Sequence, residues 1–309
     1  MTTQVGVRPV IQADAIEPPD SDKFARQLAF VTVGVPTLGF IAAVVYVIQF
    51  GLRWFDVILL GSMYLITGFG VEGGLHRLFS HRSYRARGWL DVAIAIAGSM
   101  AAQGPLLFWV ATHRIHHAFA DRDGDPHSPR PRGEGRWAVV RGLWHGHAGW
   151  LFTVRRQGWA RHVKDLMQDR ALMKVNQLYF VWVVLGLAIP VAVSALYYGS
   201  ARGAIAGLLI GGLSRVFLLD QVTWSVNSIG HTWGNRPYRS RDNSRNVASL
   251  AGVSIGGSWH NNHHAMPASA YNNHRWWQID LTGTAIWLAG CLGLVTNVHG
   301  NSARVKEAP

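Results

Sequence analysis

The chain has 309 residues, of which 15% are charged against about 25% in an ordinary soluble domain, while Trp alone occurs 14 times. Its 29 Lys and Arg exceed its 17 Asp and Glu by 12, yet these cations alternate with long uncharged runs instead of forming the stripe that binds nucleic acid, so the expected partner is membrane lipid. The single cysteine, Cys291, excludes an intrachain disulfide, a cysteine-held iron–sulfur cluster and a zinc ribbon, which leaves histidine and carboxylate for any metal.

Residues 1–27 place Pro9, Pro18, Pro19 and the acidic residues from Asp14 to Asp22 ahead of any apolar run, which predicts a disordered tail without a cleavable signal. A spanning helix needs roughly 20 apolar residues. Leu28 to Phe50 is such a run without a formal charge, and Trp54 to about Leu75 is a second, with Asp56 near its start and Glu72 near its end. Leu178 to Tyr198, with Pro190 expected to bend it, and Gly203 to about Val226, with Arg215, predict the third and fourth spans. Residues 76–177 and 227–298 read as polar parts on one side of the membrane, and 299–309 as a second tail. The stretch from Val92 to Thr112 is apolar enough to cross, but a crossing there would put the histidine clusters before and after it on opposite faces. It is therefore expected to lie at the interface. Counting along the chain, 26 of the 29 Lys and Arg fall in the N-terminal tail, in Arg77 to Lys174, or from Arg236 onward, and only Arg53 and Arg202 lie in the opposite loops. The positive-inside rule then assigns both termini and the polar parts to the cytoplasm. The expected fold is an all-α integral membrane protein with four transmembrane helices and a cytoplasmic helical cap.

Four clusters carry the chemistry: His76-Arg-Leu-Phe-Ser-His81, His113-Arg-Ile-His116-His117, Asn227-Ser-Ile-Gly-His231 and His260-Asn-Asn-His263-His264, which hold nine of the 15 histidines. Positions i, i+3 and i+4 share a helix face, so each HxxHH aims three imidazoles at one point. His76 and His81 are five apart, roughly 140° around an α-helix, which suits ligands of different metals or a helix ending between them. Asn227 lies one turn before His231 and can hold a metal-bound water. Nine imidazoles exceed what one ion can use, so two metals with four or five ligands each is the natural count. Neutral imidazoles suit several divalent ions, and iron working with dioxygen fits this number best. The isolated His127, His145, His162, His274 and His299 read as packed or solvated residues. Glu72, one turn before His76, either supports the second nitrogen of His76 or marks a helix end. Trp109, Trp224, Trp276 and Trp277 read as interface anchors, with Trp224 the exception to watch.

These residues resemble the membrane fatty acid desaturases, in particular their stearoyl-CoA (delta-9) branch and its bacterial members. The likeness runs from about Leu28 to the end through HRLFSH, HRIHH, NSIGH, WGNRPY, RDNSRN and HNNHH. It implies two ferrous ions on His76, His81, His113, His116, His117, His231, His260, His263 and His264, with Asn227 reaching a metal through water, and O2 as co-substrate. It also implies a bent acyl tunnel kinked at Gln103, Thr223 and Trp224 and closed by Tyr64 beside Gly68. Arg155 and Arg156 match a basic pair that meets the headgroup, while the positions around Gly104, Ala111 and Thr112 lack the polar groups that hold CoA. Gly257 stands where the family has Glu, and Glu72 where it has Thr.

The function so implied is oxygen-dependent insertion of a cis double bond, at delta-9, into a long-chain acyl-CoA or acyl-lipid for unsaturated fatty acid synthesis, in a bacterial inner membrane with the active site cytoplasmic. The chain shows no haem motif, flavin fingerprint or cysteine cluster, so electrons are expected from a separate donor of ferredoxin, rubredoxin or cytochrome b5 type with its reductase. The rivals are a membrane diiron hydroxylase, told apart by its alcohol product, and a histidine-rich metal transporter or sensor. A transporter places its ligands near the bilayer midplane, whereas these clusters follow the spans.

Overall fold

The structure is a computed structural model that describes residues 20–153 and 158–300. Helix α1 (Asp20–Phe50) and α2 (Trp54–Phe69) form the first hairpin, and α2 runs on without a break through a π-helical segment, Gly70–Ser80. After the two-residue strand β1 (Arg85–Ala86) come α3 (Gly88–Ser99), α4 (Leu106–Phe119), α5 (Ala138–His147), the short α6 (Lys164–Met167) and α7 (Arg170–Gln177). Helix α8 (Tyr179–Tyr198) and α9 (Ala201–Ala206) form the second hairpin, and α9 continues through π-helical Gly207–Ser214 into α10 (Arg215–Ser228). Helices α11 (His260–Ala265) and α12 (Leu281–Cys291) and strand β2 (Val295–Thr296) complete the described chain.

Four helices are long and apolar enough to cross a membrane: Arg26–Phe50, Trp54–Ser80, Tyr179–Tyr198 and Ala201–His231. The expected spans are thus all present, but the second and fourth run about one turn further than hydropathy suggested, carrying their helices up to the histidines. Residues 20–27, which the composition assigned to a tail, belong to α1. The stretch from Val92 to Thr112 is no span, because its helix ends at Ser99 and a new one starts at Leu106. The reading that it does not cross is correct, and the physical reason is the break at Met100–Pro105. Pro190 sits inside α8, where a proline leaves the carbonyl four residues earlier without its amide partner. That carbonyl, of Gly186, accepts from Arg215 Nη2 at 3.1 Å, while Nη1 donates to Met100 O at 2.8 Å. Arg215, the buried arginine of the fourth span, is therefore spent on satisfying backbone, as a buried cation in a membrane must be.

The principal core lies directly under the histidine layer, where Leu75, Leu106, Val110, Ala111 and Val163 are fully buried between the end of span two, α4 and the segment before α6. Strands β1 and β2 pair antiparallel, Arg85 with Thr296 and Ala86 with Val295. The pairing continues as His299 N donates to Ser83 O at 2.9 Å, so the end of the described chain is tied to the residues that follow His81. Of the two expectations for His299, packed or solvated, its backbone follows the first, since its amide and carbonyl are both bonded here.

Candidate metal centre

Span two changes register at Gly70. From there to Ser80 the amides bond five residues back, and the amide of His81 closes the segment on His76 O at 3.2 Å. In this register residues five apart lie over one another, so His76 and His81 face the same way, with ring centroids 5.0 Å apart. The expectation of different metals for the two, based on α-helical spacing, is corrected by this π turn, a feature common at functional sites. A Cβ on Gly70 would collide with the backbone of Ala97 and Gly98, so α3 braces the segment at contact distance.

The nine imidazoles form two groups, within each of which the ring nitrogens lie within 4.8 Å of one another: His76, His81, His113, His117 and His263, then His116, His231, His260 and His264. Each HxxHH is divided between them, which corrects the idea that three rings share one target. Going three residues along an α-helix turns the direction by about −60° and going four turns it by about +40°, so the second and third rings of the motif diverge by roughly 100°. In α4 the i, i+4 pair His113 and His117 joins the first group and His116 the second. In α11 the pair His260 and His264 joins the second and His263 the first. Facing Nε2 atoms approach to 2.8 Å for His81 and His113, 2.9 Å for His117 and His263, 3.0 Å for His76 and His263, and 2.9 Å for His231 and His260.

Carboxylates fix the outer nitrogens. Asp125 Oδ1 lies 3.0 Å from His116 Nδ1, Asp121 Oδ2 2.8 Å from His231 Nδ1, Asp242 Oδ2 2.7 Å from His264 Nδ1 and Glu72 Oε2 3.0 Å from His76 Nδ1. A carboxylate there holds the proton on Nδ1 and turns the Nε2 lone pair inward. His116 Nε2 and His264 Nε2 are buried in this orientation and meet no hydrogen-bond partner. Burial, and after it the neighbouring rings, holds His81, His113, His117, His260 and His263 well below the usual histidine range. Burial likewise brings His264 down to about 4 against the opposing pull of Asp242. Burial alone would raise the Asp125 carboxyl, but the charge and hydrogen bond of His116 outweigh it and hold it low. Burial would lower His116 as well, but the charge and hydrogen bond of Asp125 raise it, whereas the six rings held low are neutral imidazole, the form that binds divalent metal ions. Glu72 also pairs with Arg77, whose guanidinium is fully buried and held by Asp280 at 2.9 Å through both Nη atoms.

Two cavities meet beside the first group. The inner one, of about 550 Å³, has Gly68, Val71, Leu219, Val226, Val253 and Ile255 among its walls, and the outer one, of about 510 Å³, has Gln103, Phe108, Thr112, His127, Trp150 and Trp224. Trp109, His113, Thr223 and Asn227 line both, so the two cavities adjoin beside an imidazole of the first group. Gln103 ties this junction together, donating to Thr223 Oγ1 at 3.0 Å and accepting from Trp109 Nε1 at 3.2 Å. Trp109 stacks on His113 at 5.3 Å, so it is a wall of both cavities and not the interface anchor expected of it. Trp276 and Trp277, by contrast, are exposed. Tyr64 stands one turn before Gly68, and its hydroxyl donates at 2.6 Å to the carbonyl of Val253, which lines the inner cavity.

Comparison with known proteins matches residues 52–283 to the family described as Fatty acid desaturase. The chain is 42% identical, over 89% of its length and 86% of the relative's, to the hex-5-enoyl-(acyl-carrier protein) acetylenase of Moorena producens (strain JHB). It is 36% identical, over 76% of its length and 81% of the relative's, to the sn-1 stearoyl-lipid 9-desaturase of Anabaena variabilis, and 36% identical to the Delta-9 desaturase-like 5 protein of Arabidopsis thaliana over 79% of its length and 77% of the relative's. The chain belongs to the fatty acid desaturase family. The relatives make this desaturase an oxidoreductase of fatty acyl chains in membranes, and its histidine groups are consistent with a diiron centre.

Two departures of this desaturase from the family pattern prove to be neighbours. A Cβ on Gly257 would lie 3.1 Å from Glu72 Oε2, so the carboxylate of Glu72 occupies the space that a side chain at 257 would enter. Arg155 and Arg156 lie outside the described residues. Sequence reasoning missed Asp121, Asp125 and Asp242, although Ala-Asp121-Arg-Asp-Gly-Asp125 follows HRIHH directly and Asp242 lies in the RDNSRN motif. It also left His127 among the background histidines, whereas His127 is buried, has its ring centroid 4.3 Å from that of His116 and lines the outer cavity.

Proposed function

We propose that this desaturase introduces a cis double bond, at delta-9, into a long-chain fatty acyl substrate carried as acyl-CoA or acyl-lipid, with His76, His81, His113, His117 and His263 holding one iron and His116, His231, His260 and His264 the other. The observation that carries the reading is the wall of Trp109, His113, Thr223 and Asn227 shared by both cavities, which brings the space beside it against an imidazole of the first group and is read here as the bend of an acyl path. Two ferrous ions would supply the dioxygen activation and hydrogen removal that no side chain can perform on an unactivated methylene. The chain's own contribution is positional. Gln103, Thr223 and Trp109 hold the bend, so that one pair of adjacent methylenes rests against the imidazoles while the carbons on either side lie in separate limbs. Asn227, which lines both cavities, would hold a metal-bound water through its amide. The largely apolar inner limb excludes bulk water from the reacting carbons. The two electrons come from a separate donor of ferredoxin, rubredoxin or cytochrome b5 type.

Expression in a host lacking its own desaturase, followed by analysis of total lipid, tests this directly. A new monounsaturated acid with its cis bond at carbon 9, lost in His117→Ala, is the expected result. An acid hydroxylated in its place, or an unchanged lipid profile with full iron loading and an added donor, overturns it.

A further inference from the structure

The membrane face away from the histidines carries a second polar site. There the turn between α1 and α2 and the turn between α8 and α9 meet around a pocket of about 740 Å³ walled by Tyr46, Phe50, Arg53, Asp56, Tyr198 and Arg202. Arg53 and Arg202 are the two cations of those loops, on the face that the other Lys and Arg avoid, and they arrive at one pocket from separate hairpins. Each is laid on an aromatic ring, Arg53 Cζ 4.7 Å from the centroid of Tyr198 and Arg202 Cζ 4.8 Å from that of Phe50. Stacking fixes the plane of a guanidinium and leaves edge donors to spare, of which Arg53 uses one on the Tyr198 hydroxyl.

Asp56 does not neutralise them. It is only 3% exposed, its Oδ1 accepts from the Tyr198 hydroxyl at 3.0 Å and its Oδ2 from the Arg53 backbone amide at 3.2 Å. Among the described residues neither guanidinium forms an ion pair. Two oriented cations thus share one carboxylate whose oxygens are already engaged, in a cavity with room for a further anion. The depth is marked by Trp54, 82% exposed, and Tyr197, 63% exposed, on the same two hairpins. Aromatic side chains of this kind settle at the headgroup level of a bilayer.

We propose that this pocket binds a phosphate group, offered by the headgroup of an anionic phospholipid of that leaflet or by free phosphate. The forked guanidiniums match phosphate oxygens in pairs, and a bound phosphate joins the two hairpins and so ties the four spans together at the end far from the metal centre. The site is independent of the reaction.

The test uses the full chain, purified in detergent, delipidated and titrated with phosphatidylglycerol, with diacylglycerol of the same chains, or with inorganic phosphate. Native mass spectrometry reads the retained lipid and thermal unfolding the stabilisation. Wild type is expected to retain phosphatidylglycerol and not diacylglycerol, and Arg53→Gln/Arg202→Gln to bind it about tenfold or more weakly. Stabilisation by inorganic phosphate alone, lost in the same variant, identifies free phosphate as the source. Should the double variant not fold, Arg202→Gln alone, with its exposed side chain, is expected to weaken retention severalfold. Equal retention of phosphatidylglycerol by wild type and a folded variant, or equal retention of diacylglycerol, overturns the proposal.

Discussion

Asp125 shows how much of a metal site can rest on one residue that is not itself a ligand. Its Oδ1 faces His116 Nδ1 and accepts the His127 amide at 3.1 Å, while its Oδ2 accepts the Asp121 amide at 2.8 Å. Every partner is a donor, so Asp125→Asn must turn an NH2 group against one of them. Loss of such support to a ligating histidine weakens metal binding by about 10–100-fold. Iron titration of Asp125→Asn with metal analysis is expected to show a drop of this order with the helical content unchanged, and wild-type iron affinity would remove Asp125 from the centre. The Glu72 and Gly257 contact makes a second residue-scale prediction. Because one carboxylate occupies the space between positions 72 and 257, Glu72→Thr is expected to lower iron content, and Gly257→Glu added to it to restore part of the loss. Gly257→Glu alone crowds two carboxylates and is expected to be worse than either. Additive losses in the double variant would show that the two positions do not exchange one role.

At the scale of elements, the proposed acyl path would have its length set by the packing of span two on span four and on the loop before α11. A Cβ at Gly68 would come within 3.1 Å of Ile255 Cδ1 and 3.7 Å of Leu219 Cδ1, both walls of the inner limb. Gly68→Leu is therefore expected to shorten the preferred acyl chain or to stop turnover of long ones, and Tyr64→Ala, one turn deeper, to admit longer ones. Chromatography of the lipids of each variant reads the shift, and unchanged product lengths in Tyr64→Ala would take Tyr64 out of the path. The spans themselves were legible because roughly 20 uncharged residues have few other uses. The nine histidines were legible because their spacing repeats. What could not be read is what depends on an extra residue in a helical turn or on a loop closing over a distance. The π register that turns His76 and His81 to one side differs from an α-helix by one hydrogen-bond step and leaves no compositional mark. Asp121, Asp125 and Asp242 sit in polar loops where an acidic residue ordinarily means solvent. Helix α12 is apolar but too short, at 11 residues, to register as a span. The division of each HxxHH was present in the helical geometry from the start, since rings three and four residues on cannot point at the same atom.

For the whole molecule, the proposed reaction draws its two electrons from a separate donor, and the distribution of charge gives the face on which that donor would dock. Arg239 and Arg241 are exposed on the loop that also supplies Asp242, and Arg122 is exposed beside Asp121, so three cations surround the carboxylates that hold His231 and His264. An acidic electron carrier approaching this face is attracted before contact, and such steering raises the association rate more than it raises affinity. Screening acts over about 10 Å at 0.1 M salt and about 3 Å at 1 M. Turnover limited by donor encounter is therefore expected to fall as salt rises, while a small uncharged reductant remains insensitive. Arg239→Glu/Arg241→Glu is expected to lower kcat/KM for the protein donor about tenfold at low salt, to flatten its salt dependence, and to leave iron content and turnover with the small reductant at the wild-type level. A donor-dependent rate that ignores salt in wild type, or a charge reversal that reduces both reductants equally, would place the docking face elsewhere on the molecule.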